Sequence, residues 1–310
     1  MLKRKITLRL NQFFFVPLHE ISPQTAFSLF YCEKKHLKKL MKANKILFIT
    51  QEIAPFTESS VMADNCRSML KGIQEKGHEI RTFMPKWGSI NERRNQLHEV
   101  IRLTGMNIVV DDTDHPLIIK VASMPALRTQ VFFILNEDYF RNHLNTRDAD
   151  GNEYPDNDER TIFFARGVLE TVKKLRWCPD VIHCHGWISA LVPIYVKSAY
   201  NEEPSFRDSK VVFSLYDDNF KENLPDNFLQ KVLHKNMDIS LLDGIEVPTT
   251  YEELAKIAIR YSDGVIVNGE NISPELLEYA KSLGKPILEK QAEEAYAEAC
   301  SNFYETIYDE

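Results

Sequence analysis

KILFITQEIAPFTESSVMADN, residues 45–65, decides how this chain folds. Lys45–Thr50 is an apolar run of strand length, and the segment from about Val61 to Lys76 reads as a helix closed by Gly77, which supplies the left-handed turn after a C-cap. A strand, a turn and a helix in that order open a parallel β/α unit. At such a turn a nucleotide-binding protein places glycines, because only glycine lets the backbone come close to a phosphate. This turn has none, and it carries Glu58.

Outward from that unit the pattern repeats. HEIRTFMP gives a second strand stopped by Pro85. LHEVIRLTGMNIVV, PLIIKVAS and TQVFFIL, within residues 97–136, are β-rich runs separated by Asp/His/Pro turns without helices, and predict an antiparallel excursion at one sheet edge. Asn157 or Asp158 caps a helix running to about Arg176. PDVIHCH is the next strand, ISALVPIYVKSAY the next helix and KVVFSLYDD a further strand, followed by a polar stretch to about Pro248. Thr250 and Glu253 form a capping box for a helix to about Tyr261, GVIVN is a strand, and Ser273–Pro274 starts a helix that Gly284 ends. KPIL and a helix from Gln291 to about Ile307 finish the series. With no linker and no internal repeat, the prediction is an α/β fold: one doubly wound, Rossmann-like domain over 41–310 with a parallel sheet and a β-rich insertion.

Composition narrows the function. The chain has 310 residues and a formal charge of −7. Residues 1–40 hold eight Lys/Arg against Glu20 and Glu33, which leaves the remainder at −13. An acidic body argues against a nucleic-acid partner. Five widely spaced cysteines without a C-x-x-C pair suit reduced thiols in a cytoplasm, and no apolar run reaches the ~20 residues of a membrane helix. In residues 1–40, Arg9, Asn11 and Gln12 interrupt what would be a secretory leader; we expect translation to begin at Met41 and treat 1–40 as an extra segment, untranslated or disordered.

Two polar clusters fall at element ends. His183 and His185 in HCHGW lie two apart on a strand, so they share a face at the end that lines the ligand crevice of a parallel sheet. That spacing suits a metal, but no third ligand lies near in sequence, and hydrogen bonding to loop backbone is the alternative. YPDNDER, residues 154–160, is either a helix cap or a site. No metal or other cofactor is expected.

These same segments carry a resemblance. KILFITQEIAPFTESSVMADN, KGHEIRTFMPKWG, YPDNDERTIFFARGVLE and PDVIHCHGWISALVPIYVK resemble, in order, KILF-x-x-x-E-x-APF-x-K-x-GGL-x-D-V, RGHEVRVVMPRYG, YPDNAERFAFFSRAALE and PDVVHAHDWHAGLAPAYLK of bacterial glycogen and starch synthases (glycosyltransferase family 5). The match spans about Lys45–Lys197, in the N-terminal, glucan-acceptor domain of retaining glucosyltransferases that use ADP-glucose, one half of a GT-B architecture. After KVVFSLYDD it thins to an echo at YSDGVIVN.

The departures fall on the site. The lysine that the resemblance assigns to the nucleotide sugar falls at Glu58, and the two glycines at Ser60 and Val61. The histidine facing the transferred glucose falls at Ile188, the neighbouring Asp at Gly186, and the His and Asn of a T-I-H-N stretch at Tyr216 and Asp217. Carboxylate cannot replace ammonium beside a diphosphate. The family's second domain, which carries most donor contacts, has no counterpart before Glu310. The resemblance therefore implies a glucan-binding or regulatory acceptor-domain protein of glycogen metabolism with a degenerate ADP-glucose site. His183, His185, Trp187, Asn157 and Arg160 are the candidate sugar-binding residues. The alternatives are an active glucosyltransferase completed by a separate donor-domain protein, and an oligomeric scaffold built from copies of the chain.

Overall fold

The computed structural model describes residues 45–309 apart from 125, 126 and 128; the expected extra segment 1–40 lies outside them. The central strand is β1 (Lys45–Thr50), in which all residues but Lys45 are buried. It pairs in parallel with β2 (Glu79–Pro85) on one side, Ile46 opposite Ile80, and with β7 (Val181–His185) on the other, Thr50 opposite His185. A strand flanked on both edges and covered on both faces has no polar side, which is why KILFI reads as a continuous apolar run rather than an alternation.

The remaining strands are β3 (His98–Glu99), β4 (Met106–Val110), β5 (Thr113–Met124), β6 (Thr129–Leu135), β8 (Lys210–Leu215), β9 (Gly264–Val267) and β10 (Ile287–Leu288). The sheet order is β10-β9-β8-β7-β1-β2-β6-β5-β3, with β4 paired to β5. The β-rich excursion sits at one edge as expected, with β5 antiparallel to β6 and β3 antiparallel to β5. One strand departs from the prediction. β6 is parallel to β2, so TQVFFIL belongs to the core sheet, consistent with the burial of Val131, Phe133, Ile134 and Leu135.

The helices are α1 (Val61–Glu75), α2 (Asn157–Lys174), α3 (Val192–Lys197), α4 (Phe228–Val232), α5 (Tyr251–Tyr261), α6 (Pro274–Ser282) and α7 (Glu293–Asp309). Right-handed crossovers put α1, on the path β1 to β2, on one face, and α2, α3, α5 and α6, on paths in the opposite direction, on the other. α7 returns to pack on α1, where a Cβ on Gly72 would stand 2.3 Å from that of Ala297; only glycine permits that crossing. Tyr296, Cys300, Tyr304 and Ile307 of α7 are buried there, each large side chain contributing about 1.5–3 kcal/mol.

Local signals were overridden in three places. Neither Asn157 nor Asp158 caps α2: Asp156 is the N-cap and makes no side-chain cap bond. The Asn157 amide instead donates to the Thr146 carbonyl, and Asp158 accepts from Lys231. The expected helix over ISALVPIYVKSAY is a 3-10 turn, Trp187–Ser189, followed by the six-residue α3. The Ser189 hydroxyl and N–H both donate to Gly186 O, holding that turn tight. Thr250 does cap α5, accepting from Glu253 N–H at 3.3 Å, but the Glu253 carboxylate accepts from Glu246 N–H and Lys256 and never closes the box. Among the described residues no helix is long and apolar enough to cross a membrane.

Candidate functional site

The chain runs from β1 through α1 to β2 and β6, then crosses back through α2 to β7 on the other side of β1. In an open parallel sheet the crevice outside the carboxyl ends of the strands at this reversal is where ligands bind. Four segments surround it: residues 51–61 after β1, Gly186–Ile188 after β7, Tyr216–Asp218 after β8, and Asn268–Asn271 after β9.

The β1 turn is held from within. Gln51 is buried, its carbonyl accepting from Trp87 Nε1 at 2.9 Å and its side-chain oxygen from Ile188 N–H. Ser60 is the N-cap of α1: its hydroxyl oxygen accepts from Ala63 N–H at 3.0 Å and its proton goes to Glu52 Oε2 at 2.6 Å. Ser59 donates to Asp64 Oδ2 in the first helical turn. The positive end of α1 is thus already answered by a serine and by carboxylates of the chain itself. Glu58 is exposed, and Val61, the first residue of α1, is 63% exposed.

Gly186 decides the opposite wall. Its φ is +78°, and a Cβ there would meet Met62 Cε at 2.7 Å and Asp218 Oδ2 at 3.0 Å. Met62, the second residue of α1, fills the space where the related motif has a side chain on residue 186. Asp218 Oδ2 accepts from Trp187 N–H at 3.1 Å, and Oδ1 has no partner among the described residues. Burial, with the nearby Glu52 charge adding to it against the Trp187 N–H, pushes the Asp218 carboxyl up to about 7. Asp217 accepts from Glu270 and Asn271 N–H, tying the β8 and β9 loops together. Glu52 and Asp218 therefore lie near one another, bringing the β1 and β8 loops together with two carboxyl groups between them.

The residues expected to face a sugar are placed elsewhere. His183 and His185 do share a face, with ring centroids 3.8 Å apart, but both are fully buried beneath the crevice. His183 Nδ1 lies 2.5 Å from Tyr304 Oη of α7 and Nε2 lies 2.7 Å from Ser214 Oγ. His185 Nδ1 lies 3.1 Å from Tyr216 Oη. Burial holds both imidazoles neutral, His185 down to about 3 and His183 also lowered, and a proton on one ring would oppose a proton on the other. The loop-backbone partners considered from sequence are in fact side-chain hydroxyls. Trp187 is 3% exposed and packs edge-on against Phe220.

Asn157 and Arg160 form a second internal cluster. Arg160 is fully buried, donating to Asn157 Oδ1 and to Asn145 O at 2.7 Å each, with its guanidinium 5.1 Å from the Trp87 ring and 5.1 Å from the Tyr154 ring. Burial brings its ionisation down to about 10. Hydrogen bonds and ring packing turn all five of these side chains inward, which corrects the cleft lining expected of them from sequence. Ile188 is likewise buried, whereas Glu58 and Val61 are exposed and Ser60 is half-buried at the surface turn. Glu52, Met62 and Asp218 went unnoticed in sequence. The consecutive carboxylates of YDD at a strand end were the available signal for Asp218; Met62 had none.

Comparisons with known proteins agree with this fold. Residues 45–288 match the family model of the starch synthase catalytic domain. The glycogen synthase of Chlorobium limicola is 35% identical over 235 residues, covering 73% of this chain and 48% of that protein. The glycogen synthase of Pelodictyon phaeoclathratiforme is 37% identical over 198 residues, 64% of this chain and 40% of its own. The fold is shared with the catalytic domain of Starch Synthase IV from Arabidopsis thaliana bound to ADP and acarbose, with a TM-score of 0.62 at 19% identity, covering 81% of this chain and 51% of that one. The chain spans about half the length of the curated relatives it matches. A match that begins at β1 and ends in β10, carried by sequence and fold alike, makes the chain a member of the starch synthase catalytic domain family.

Proposed function

We propose that this glycogen synthase-like chain serves in α-1,4-glucan metabolism as a glucan-binding or regulatory acceptor-domain protein whose β1 turn no longer holds ADP-glucose. One observation carries the reading: Ser60 is committed to Glu52 and to the cap of α1, and Glu58 stands exposed beside it, so a diphosphate at this turn meets two carboxylates. A β-branched Val61 further blocks backbone approach. Glucan hydroxyls, being neutral, carry no such penalty against Glu52, Glu58 and the exposed Asp217. Isothermal titration with maltooligosaccharides and with ADP-glucose tests it. Binding of the oligosaccharide without ADP-glucose is the expected result; ADP-glucose binding, or no heat from millimolar oligosaccharide, overturns it.

A second reading draws on the exposure of Val61 at the crevice rim. There the rim is covered by a separate donor-domain protein, which restores glucosyl transfer, or by another copy of this chain. Incorporation of labelled glucose from ADP-glucose into glycogen, by the protein alone and in lysate, separates the first case, and light scattering the second.

A further inference from the structure

We propose that a cavity of about 760 Å3 at the amino-terminal end of the sheet binds a phosphate-bearing small molecule between Arg81 and Arg102. β2 starts at Glu79 and β6 at Thr129, and both run parallel to β1, so this cavity opens at the end of the sheet opposite the crevice. It does not rest on the functional reading above.

Two cations, Arg81 and Arg102, and one carboxylate, Glu79, face a common space, so the lining keeps a net positive charge. Arg81 is held by its environment: its guanidinium lies 4.8 Å from the Trp177 ring, and Nε is 3.9 Å from Glu79 Oε1, which is itself fixed by the Trp177 Nε1 proton at 2.7 Å. That carboxylate is too distant for a hydrogen bond to Arg81, so the guanidinium is oriented while its donors stay unspent. Arg102 reaches the same cavity from the exposed turn after β3 and makes no hydrogen bond or ion pair among the described residues. Burial and the charge of Arg102 both weaken the protonated form of Arg81, against the pull of Glu79. Two guanidinium groups that repel one another across a shared cavity form a site that an anion relieves, and a planar fork suits a phosphate better than a lone halide.

The rest of the lining indicates more than a bare ion. His78 lies at the wall with Nδ1 buried and without a partner among the described residues, while its Nε2 lies 3.4 Å from Ser301 Oγ. Gln130 adds an exposed amide and Phe132 a ring surface, itself stacked on Phe83 at 5.0 Å. The carbonyls at the end of α1 that would repel an anion are already taken: Lys76, Gly77 and His78 N–H donate to Gly72, Ile73 and Gln74. The volume falls within the ~300–1,000 Å3 of small-molecule sites, several times what inorganic phosphate fills. A phosphomonoester with a polar, ring-sized body matches this lining.

The test titrates glucose 6-phosphate, inorganic phosphate and glucose into the full chain by calorimetry, with Arg102→Gln and Arg81→Gln as variants. Glucose 6-phosphate should bind saturably and more tightly than inorganic phosphate, glucose should not bind, and Arg102→Gln should weaken binding about tenfold or more, with added salt weakening it further. Arg102 is exposed, so Arg102→Gln keeps the fold and decides the question even if Arg81→Gln, which disturbs the Trp177 contact, lowers stability. Unchanged affinity in Arg102→Gln, equal binding of glucose, or no binding of either phosphate at millimolar concentration overturns the proposal.

Discussion

Gly186 offers the sharpest test of how the crevice is built. In Gly186→Ala the new Cβ falls 2.7 Å from Met62 Cε and 3.1 Å from its sulfur, on a residue with φ +78°. With φ +78° and ψ 159° the backbone lies in a region that essentially only glycine occupies, and holding a residue with a Cβ there costs about 1–3 kcal/mol. Moving the 4%-exposed Met62 aside forfeits about another 1 kcal/mol of packing. The expected loss is therefore about 2–4 kcal/mol, a large part of a typical ~5–15 kcal/mol. Gly186→Asp, the residue of the related motif, adds a carboxylate beside Asp218, 3.0 Å from the new Cβ, and should lose about 2 kcal/mol more at neutral pH. Urea unfolding followed by tryptophan fluorescence measures both, in the native and the Met62→Ala background. Removing Met62 should reduce the Gly186→Ala cost to its backbone part, a coupling of about 1 kcal/mol. A cost below about 0.5 kcal/mol for Gly186→Ala, or the same cost in both backgrounds, would refute the argument that Met62 and Gly186 jointly close this wall.

Three further outcomes follow from the buried polar groups. Asp218 titrates at about 7 in the folded chain against an ordinary 3.8, so between those values the folded state holds a proton that the unfolded state releases, and stability falls as pH rises from about 4 to 7. Asp218→Asn should flatten that slope and gain roughly 2–4 kcal/mol at pH 7.5 relative to pH 4.5; parallel urea midpoints for variant and parent contradict it. Arg160→Ala removes two 2.7 Å hydrogen bonds and the packing on Trp87 and Tyr154, and should cost about 3–5 kcal/mol in chemical unfolding, against a negligible change if Arg160 served only a ligand. Tyr304→Phe leaves one nitrogen of His183 without its hydroxyl, which should cost about 1–3 kcal/mol and speed amide exchange in α7.

The strands were legible because each is a short apolar run between polar turns, and burial on both faces demands such runs. The caps at Ser60 and Thr250 and the turn at Gly77 rest on rules that act within a few residues, and Thr250 and Gly77 were read correctly from them. α2 defeated the same rules: Asn157 and Asp158 look like caps, yet Arg160 of the same helix and Lys231, 73 residues away from Asp158, supply better partners. The site was legible in where it lies and not in what lines it. HCHGW was rightly placed at a strand end, but whether its histidines face the crevice or the core depends on α7, whose Tyr304 comes from 121 residues away.

By itself, then, the sequence determined most of the order of strands and helices, the family, and a β1 turn that holds Glu58, Ser60 and Val61 and no glycine. These are properties of local pattern and of residue identity. Only the tertiary structure decided that Met62 packs against Gly186, that Asp218 is held by Trp187 N–H near Glu52, that the five candidate sugar-binding residues turn inward, and that Arg81 and Arg102 share a cavity. Each of those facts joins groups distant in sequence, and the desolvation that sets their charge and accessibility exists only once the layers have packed.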